Sequence, residues 1–173
     1  MSWNDYYRRR DALDAVVDHA ARHPAGSVPF TEVPEATEVF TNREELLQAL
    51  HYRWLLKLTG RVGLAQAEAE RDPSIDPVDA VTQAWRTTAV EFPTLRRLID
   101  IGAETDPDVL GPAIDGEQRM LALAAGLVEP HESAAEITRV GAAFVALIRS
   151  APDRPVKRRN PVEQLFRRLV ASA

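Results

Sequence analysis

Apolar positions recur along this chain at alternating spacings of three and four residues, the signature of helices that each bury one face. The clearest run is Val78, Val81, Trp85, Thr88, Phe92, Leu95, Ile99 and Gly102, which keeps its phase across Pro93. A proline there removes the amide bond to the carbonyl of Ala89 and crowds it. The pattern therefore predicts one long central helix, kinked between Ala89 and Pro93 but not ended. An earlier helix is expected from about Trp3 to His23, with Trp3, Tyr6, Leu13, Val17 and Ala20 on its apolar face and Arg10 at the missing step. Arg10 either carries its charge to the edge of that face or pairs with a buried carboxylate. Asp11, Asp14 and Asp18 form a stripe expected on the solvated side.

A second helix, from Asn42 toward Arg71, turns Leu46, Leu47, Leu50, Trp54, Leu55, Leu58 and Val62 inward. Gly60 and Gly63 interrupt it, each costing about 1 kcal/mol against alanine, and predict a bend or the close approach of a neighbour. Beyond the central helix, Asp106 to Gly111 reads as a turn or short helical piece. Gly111-Pro112 then opens a helix to about Val128, and Pro130 opens another to about Ser150 with Ile137, Val140, Phe144, Leu147 and Ile148 inward. In the latter, Gly141, Ala142 and Ala143 are small enough to let another backbone come close. A short amphipathic helix over 161–171, carrying Val162, Leu165, Phe166, Leu169 and Val170, completes the pattern.

Helix starts are marked by a repeated cap, proline and acid. Asp76-Pro77-Val78-Asp79 and Asn160-Pro161-Val162-Glu163 each place a capping oxygen before a residue with no amide to leave unpaired, followed by a carboxylate near the positive helix end. Asp72-Pro73 and Asp106-Pro107-Asp108 are weaker copies, and Thr41-Asn42-Arg43-Glu44 has the spacing of a capping box. The expected fold is all-α: a single-domain bundle of five to six helices over 1–151, then a basic linker and terminal helix over 152–173 that pack on the same domain.

The helical plan lapses in the stretch from Pro24 to Thr41, which holds Pro24, Pro29, Pro34 and Gly26. It is long for a helix connection, and Val28, Phe30, Val33, Val39 and Phe40 are too apolar for a solvated linker. Either it wraps its own bundle, or it is an arm that covers a partner or a pocket. The segment before Asn160 is the second lapse, a basic leash on an amphipathic helix.

Composition narrows the class without naming a chemistry. Hydrophobic residues make up 45% of 173 and charged residues 27%, values of a chain that folds. The longest apolar run, 142–148, is far short of the roughly 20 residues that a membrane span needs. The N-terminus has no signal-peptide core, so a cytoplasmic location is expected. The absence of cysteine removes disulfides, thiolate metal sites and thiol nucleophiles. The basic residues are 19 Arg and two Lys, and the tail from Pro152 is net +4 within a chain of −5, leaving an acidic body. With a pI near 5.4 and no basic stripe interleaved with aromatics, nucleic acid is not the expected partner.

The four histidines offer little. His19 and His23 stand four apart, a spacing able to hold a metal, but they occupy a helix end where a cation complements the dipole. His51 lies at the margin of an apolar face, and His131 follows Pro130 in a first helical turn, where it is expected to be exposed. No Glu-x-x-His pair of a di-iron bundle, nucleophile elbow or phosphate loop occurs. No metal and no cofactor are expected. The leading expectation is a non-enzymatic helical protein that acts by association with itself or a protein partner, using Val28, Phe30, Leu165, Phe166 and Leu169. The alternative is a small-molecule site or unrecognised enzyme, with a pocket between the second and third helices lined by His51, Trp54, Trp85 and Phe92.

Overall fold

The computed structural model describes residues 3–150. Among them seven helices and no strand account for 80% of the residues, so the protein is all-α as the periodicity predicts. The helices are α1 (Trp3–Arg22), α2 (Pro34–Val39), α3 (Arg43–Arg71), α4 (Pro77–Glu91), α5 (Pro93–Thr105), α6 (Pro107–Ala124) and α7 (Ala134–Ser150). The expectations for 152–173, including the terminal helix with Leu165, Phe166 and Leu169, lie outside the described residues. The chain groups into two compact units: Met1–Lys57 with Ala89–Gly116, and Leu58–Thr88 with the described residues from Glu117 onward.

In the first unit α1 packs on α2 and α5. The face it buries is Ala12, Leu13, Val16 and Ala20. Trp3 and Tyr6, expected on that face, are exposed instead. The 24–41 stretch wraps its own unit: Val28, Val33, Ala36 and Phe40 are buried, and Pro34 starts α2 where a missing amide costs nothing. Arg9 stacks its guanidinium 4.8 Å from the Phe40 ring centroid, tying α1 to the end of that stretch. The capping box is real but one residue later than the spacing implied. Asn42 is the cap, its Oδ1 accepting from the Glu45 amide at 2.8 Å, while Glu45 Oε2 accepts from the Thr41 amide at 2.8 Å. With Arg43 as the first helical residue, the acid three positions in is Glu45, not Glu44.

α3 runs unbroken through Gly60 and Gly63, and a Cβ at either would meet nothing within 4 Å. The expected close approach is absent at both glycines, which sit on an open side. The central helix is divided, not merely kinked. Phe92 leaves helical geometry at φ −124°, ψ 56°, and α5 restarts at Pro93. A proline pushes its predecessor out of the α region as well as lacking an amide, and here the two effects end α4. α6 also departs from expectation, beginning at Pro107 and holding Pro112 inside it. Asp106 closes α5 with its amide on the Gly102 carbonyl, and its own carbonyl accepts from Val109 and Leu110 to open α6. With that junction so short, no separate turn fits before Pro112.

The second unit holds the rest of α3 and α6 with most of α4 and all of α7. Asp76 Oδ1 accepts the Val78 amide at 2.8 Å, confirming its cap at α4. Two residues past the end of α6, Gly126 sits at φ 66°, a left-handed conformation that glycine adopts without a Cβ clash. The amides of Gly126 and Leu127 return to the carbonyls of Leu123 and Ala122, so the helix stops before Val128. α7 starts at Ala134 under a Ser133 cap, its Oγ accepting from Glu136 at 3.2 Å, four residues later than Pro130 implied. Ala122, Val128 and Ile137 form a buried cluster with Val140 against it. Leu147, expected inward, is 65% exposed.

Candidate association surface

The residues proposed from sequence fall in both units. His51, Trp54 and Phe92 belong to the first unit and Trp85 to the second. His51, Trp54 and Trp85 are buried, so their rings occupy interior space. Arg96 lies 5.0 Å from the Trp54 ring, and in the second unit the Trp85 indole donates to the buried Glu117 carboxylate at 3.4 Å. Phe92 is half-buried beneath the Lys57 ammonium, 3.9 Å from its ring centroid. Val28 is only 3% exposed, which removes it as a free partner contact, and Phe30 is half-buried. Among the described residues no group of three His, Asp or Glu side chains could hold a metal ion. His19 and His23 stack at 4.4 Å, and a ring nitrogen of His23 meets the His19 carbonyl, which closes the helix end.

An aromatic surface lies open in the first unit, including Trp3 and Tyr6, which the periodicity places on the apolar face of α1. Trp3 is 79% exposed, and Tyr6, Tyr7, Tyr52 and Leu56 are exposed with it. The Trp3 and Tyr7 rings stack at 6.3 Å, and Tyr6 meets Tyr7 edge-on at 5.6 Å. Between α1 and α3 runs a groove of about 660 Å³, lined by residues that recur three and four apart on both helices: Tyr6, Arg10 and Leu13 on one side, Ala49, Tyr52 and Leu56 on the other. Such recurrence places each set on one helix face.

Ion pairs set the groove's edges. Arg9 bonds Glu45 at 2.7 Å, Arg53 bonds Asp14, and Arg10 bonds its neighbour Asp11 at 2.9 Å while its guanidinium covers Tyr7. The Thr41 amide, and after it the Arg9 guanidinium, hold the Glu45 carboxyl below the usual carboxylate range. A second hollow of about 270 Å³ lies further along α1, lined by Val17, Asp18 and Ala21 with Phe92, Pro93 and Leu95. Arg53 borders both hollows. The arrangement offers apolar and aromatic area rimmed by guanidinium groups, the composition of an interface centre. The readable signal was that the first two turns of α1 are aromatic and arginine-rich, whereas its buried positions are small or aliphatic.

No known protein family, curated protein or solved structure matches this chain.

Proposed function

We propose that this is a non-enzymatic, cytoplasmic helical protein that acts by association, with a second copy of itself or with a protein partner, and that it does so through α1 and the adjoining face of α3. The carrying observation is the set of exposed Tyr6, Tyr52 and Leu56 that line one groove, extended outward by the ring contacts of Tyr6 with Tyr7 and of Tyr7 with Trp3. Scattered exposed apolar residues are ordinary, but a contiguous aromatic patch beside a concave face marks an interaction site. Tyrosine, tryptophan and arginine are the side chains that carry most interface energy, because they bury large area with few freely rotating bonds.

Light scattering and native mass spectrometry of the full chain, alone and as purified from its host, test the reading. The expected result is a defined assembly that the Tyr6→Ser, Tyr52→Ser variant loses while its helical circular dichroism is retained. A chain that stays monomeric at high concentration and purifies without a stoichiometric partner would sink it.

A further inference from the structure

α1 carries a second stripe, distinct from the one it buries. Trp3, Tyr7, Arg10, Asp14, Val17 and Ala21 are spaced four, three, four, three and four, the seam of a two-helix contact. None of the six is among the residues that α1 buries. The seam is also complementary to its own reversal. Read from either end, Trp3 falls opposite Ala21, Tyr7 opposite Val17 and Arg10 opposite Asp14, so large meets small and cation meets anion at each step.

Resting on the association reading, we propose that the partner is a second copy of this chain, docked α1 against α1, antiparallel, about a two-fold axis. Such an isologous contact uses one patch twice, so every pair occurs in duplicate. Each copy's Trp3 and Tyr7 enter the hollow of about 270 Å³ that Val17 and Ala21 help to line on the other. Those aromatics are exposed in the single chain, and the hollow lies on the seam where the reversal requires it. Charge selects the direction. A parallel pairing would set Arg10 against Arg10 and Asp14 against Asp14, whereas the antiparallel one extends the existing bonds into an alternating row of Arg53, Asp14, Arg10 and Asp11. The Arg10 and Asp14 side chains are 51% and 48% exposed, so both reach a second copy without leaving their present partners.

Charge reversal and mixing test the register. Arg10→Asp and Asp14→Arg, each alone, place like charges together twice, and each is expected to raise the dimer dissociation constant at least about tenfold. Mixed in equal amounts, they restore both pairs and should re-form a heterodimer by native mass spectrometry. Because Asp14→Arg faces Arg53 and could disturb folding, a second measurement uses the cysteine-free background: Tyr7→Cys mixed with Val17→Cys. A disulfide needs Cα atoms within about 7 Å, so it should form between unlike chains. Like chains hold the two positions about 15 Å apart along the axis and should not cross-link. Folded variants whose mixture stays monomeric, with no mixed disulfide, overturn the proposal. A wild-type monomer that binds another protein through the groove also overturns it while leaving the association reading intact. A chain that binds nothing defeats both.

Discussion

The two units are fastened by different means. In the first, side chains reach between helices: Arg9 to Glu45, Arg53 to Asp14, Arg43 to Asp106, and Arg97 to the Ala20 carbonyl at 2.5 Å. In the second, Arg119 reaches the Thr138 hydroxyl at 2.8 Å, but backbone also meets backbone. A Cβ built on Gly141 would lie 2.2 Å from the Gln118 carbonyl oxygen, so α7 crosses α6 at a distance that only glycine permits. Arg86 adds a clamp, donating from Nε and Nη2 to the Ile148 carbonyl of α7 at 3.3 and 3.1 Å. Long side chains can yield at a modest cost, whereas a backbone contact cannot. The region held by adjustable ion pairs is also the one that displays an open aromatic face.

The sharpest test of that contrast is Gly141→Ala. Its new methyl meets main chain, so the helices must separate, at an expected cost of about 3 kcal/mol or more and a fall in Tm of roughly 10 °C by calorimetry. A neutral Gly141→Ala would refute the backbone contact. Arg86→Ala should come next, losing about 1.5 kcal/mol because charged donors leave the Ile148 carbonyl. Hydrogen exchange should show faster opening confined to the last turn of α7. Gly102→Ala is the counterpart in the first unit. Its Cβ would lie 2.5 Å from Leu47 Cδ2 and 3.0 Å from Leu110 Cδ1, both ends of flexible side chains, so their adjustment relieves the clash and the helix gains from losing a glycine. About 1 kcal/mol of destabilisation or less is expected from urea unfolding, and a loss as large as that of Gly141→Ala would erase the distinction between the units.

The smallest effect is a dependence on acid. The Glu45 carboxyl is held low by the Thr41 amide and Arg9, and Asp106 by the Thr105 hydroxyl and then Arg43. A folded pKa below the unfolded one contributes stability that is complete above the unfolded value and is lost as pH falls through the folded one. The loss therefore sets in below about pH 4, the ordinary carboxylate range. For Glu45 it stays under about 1 kcal/mol, since solvent screens so open a pair. Denaturant midpoints of wild type and Glu45→Gln should converge as pH drops from 6 to 3, and a constant gap would show that the Glu45 charge is not the source.

Much of the fold was legible because it is local. The cap at Asp76 follows from hydrogen bonds within a few residues, whereas the break at Phe92 was read only as a kink, because the unbroken apolar phase masked how strongly Pro93 turns its predecessor out of the helix. Errors at Thr41, Pro130 and Gly111 came from competing local signals of similar strength: a second possible cap at Asn42, a serine cap at Ser133, and an earlier proline start at Pro107. The surface on α1 was less legible. Trp3 and Tyr6 share a helix face with Leu13 and Val17, and periodicity cannot say how far along that face the neighbouring helices extend. Val28 was misread for the converse reason: a proline-rich segment looks like an arm until its contacts are known.

The sequence by itself determined that this protein is all-α and where α1, α3 and α4 begin, because capping, proline geometry and apolar spacing act between residues close in the chain. Only the tertiary structure decided which stripe of α1 is buried, that Gly141 rather than Gly60 or Gly63 is the close contact, and that Val28 is interior while Trp3 is not. Those outcomes depend on which distant surfaces arrive to exclude water, and burial is a property of the pair of surfaces, not of either one alone.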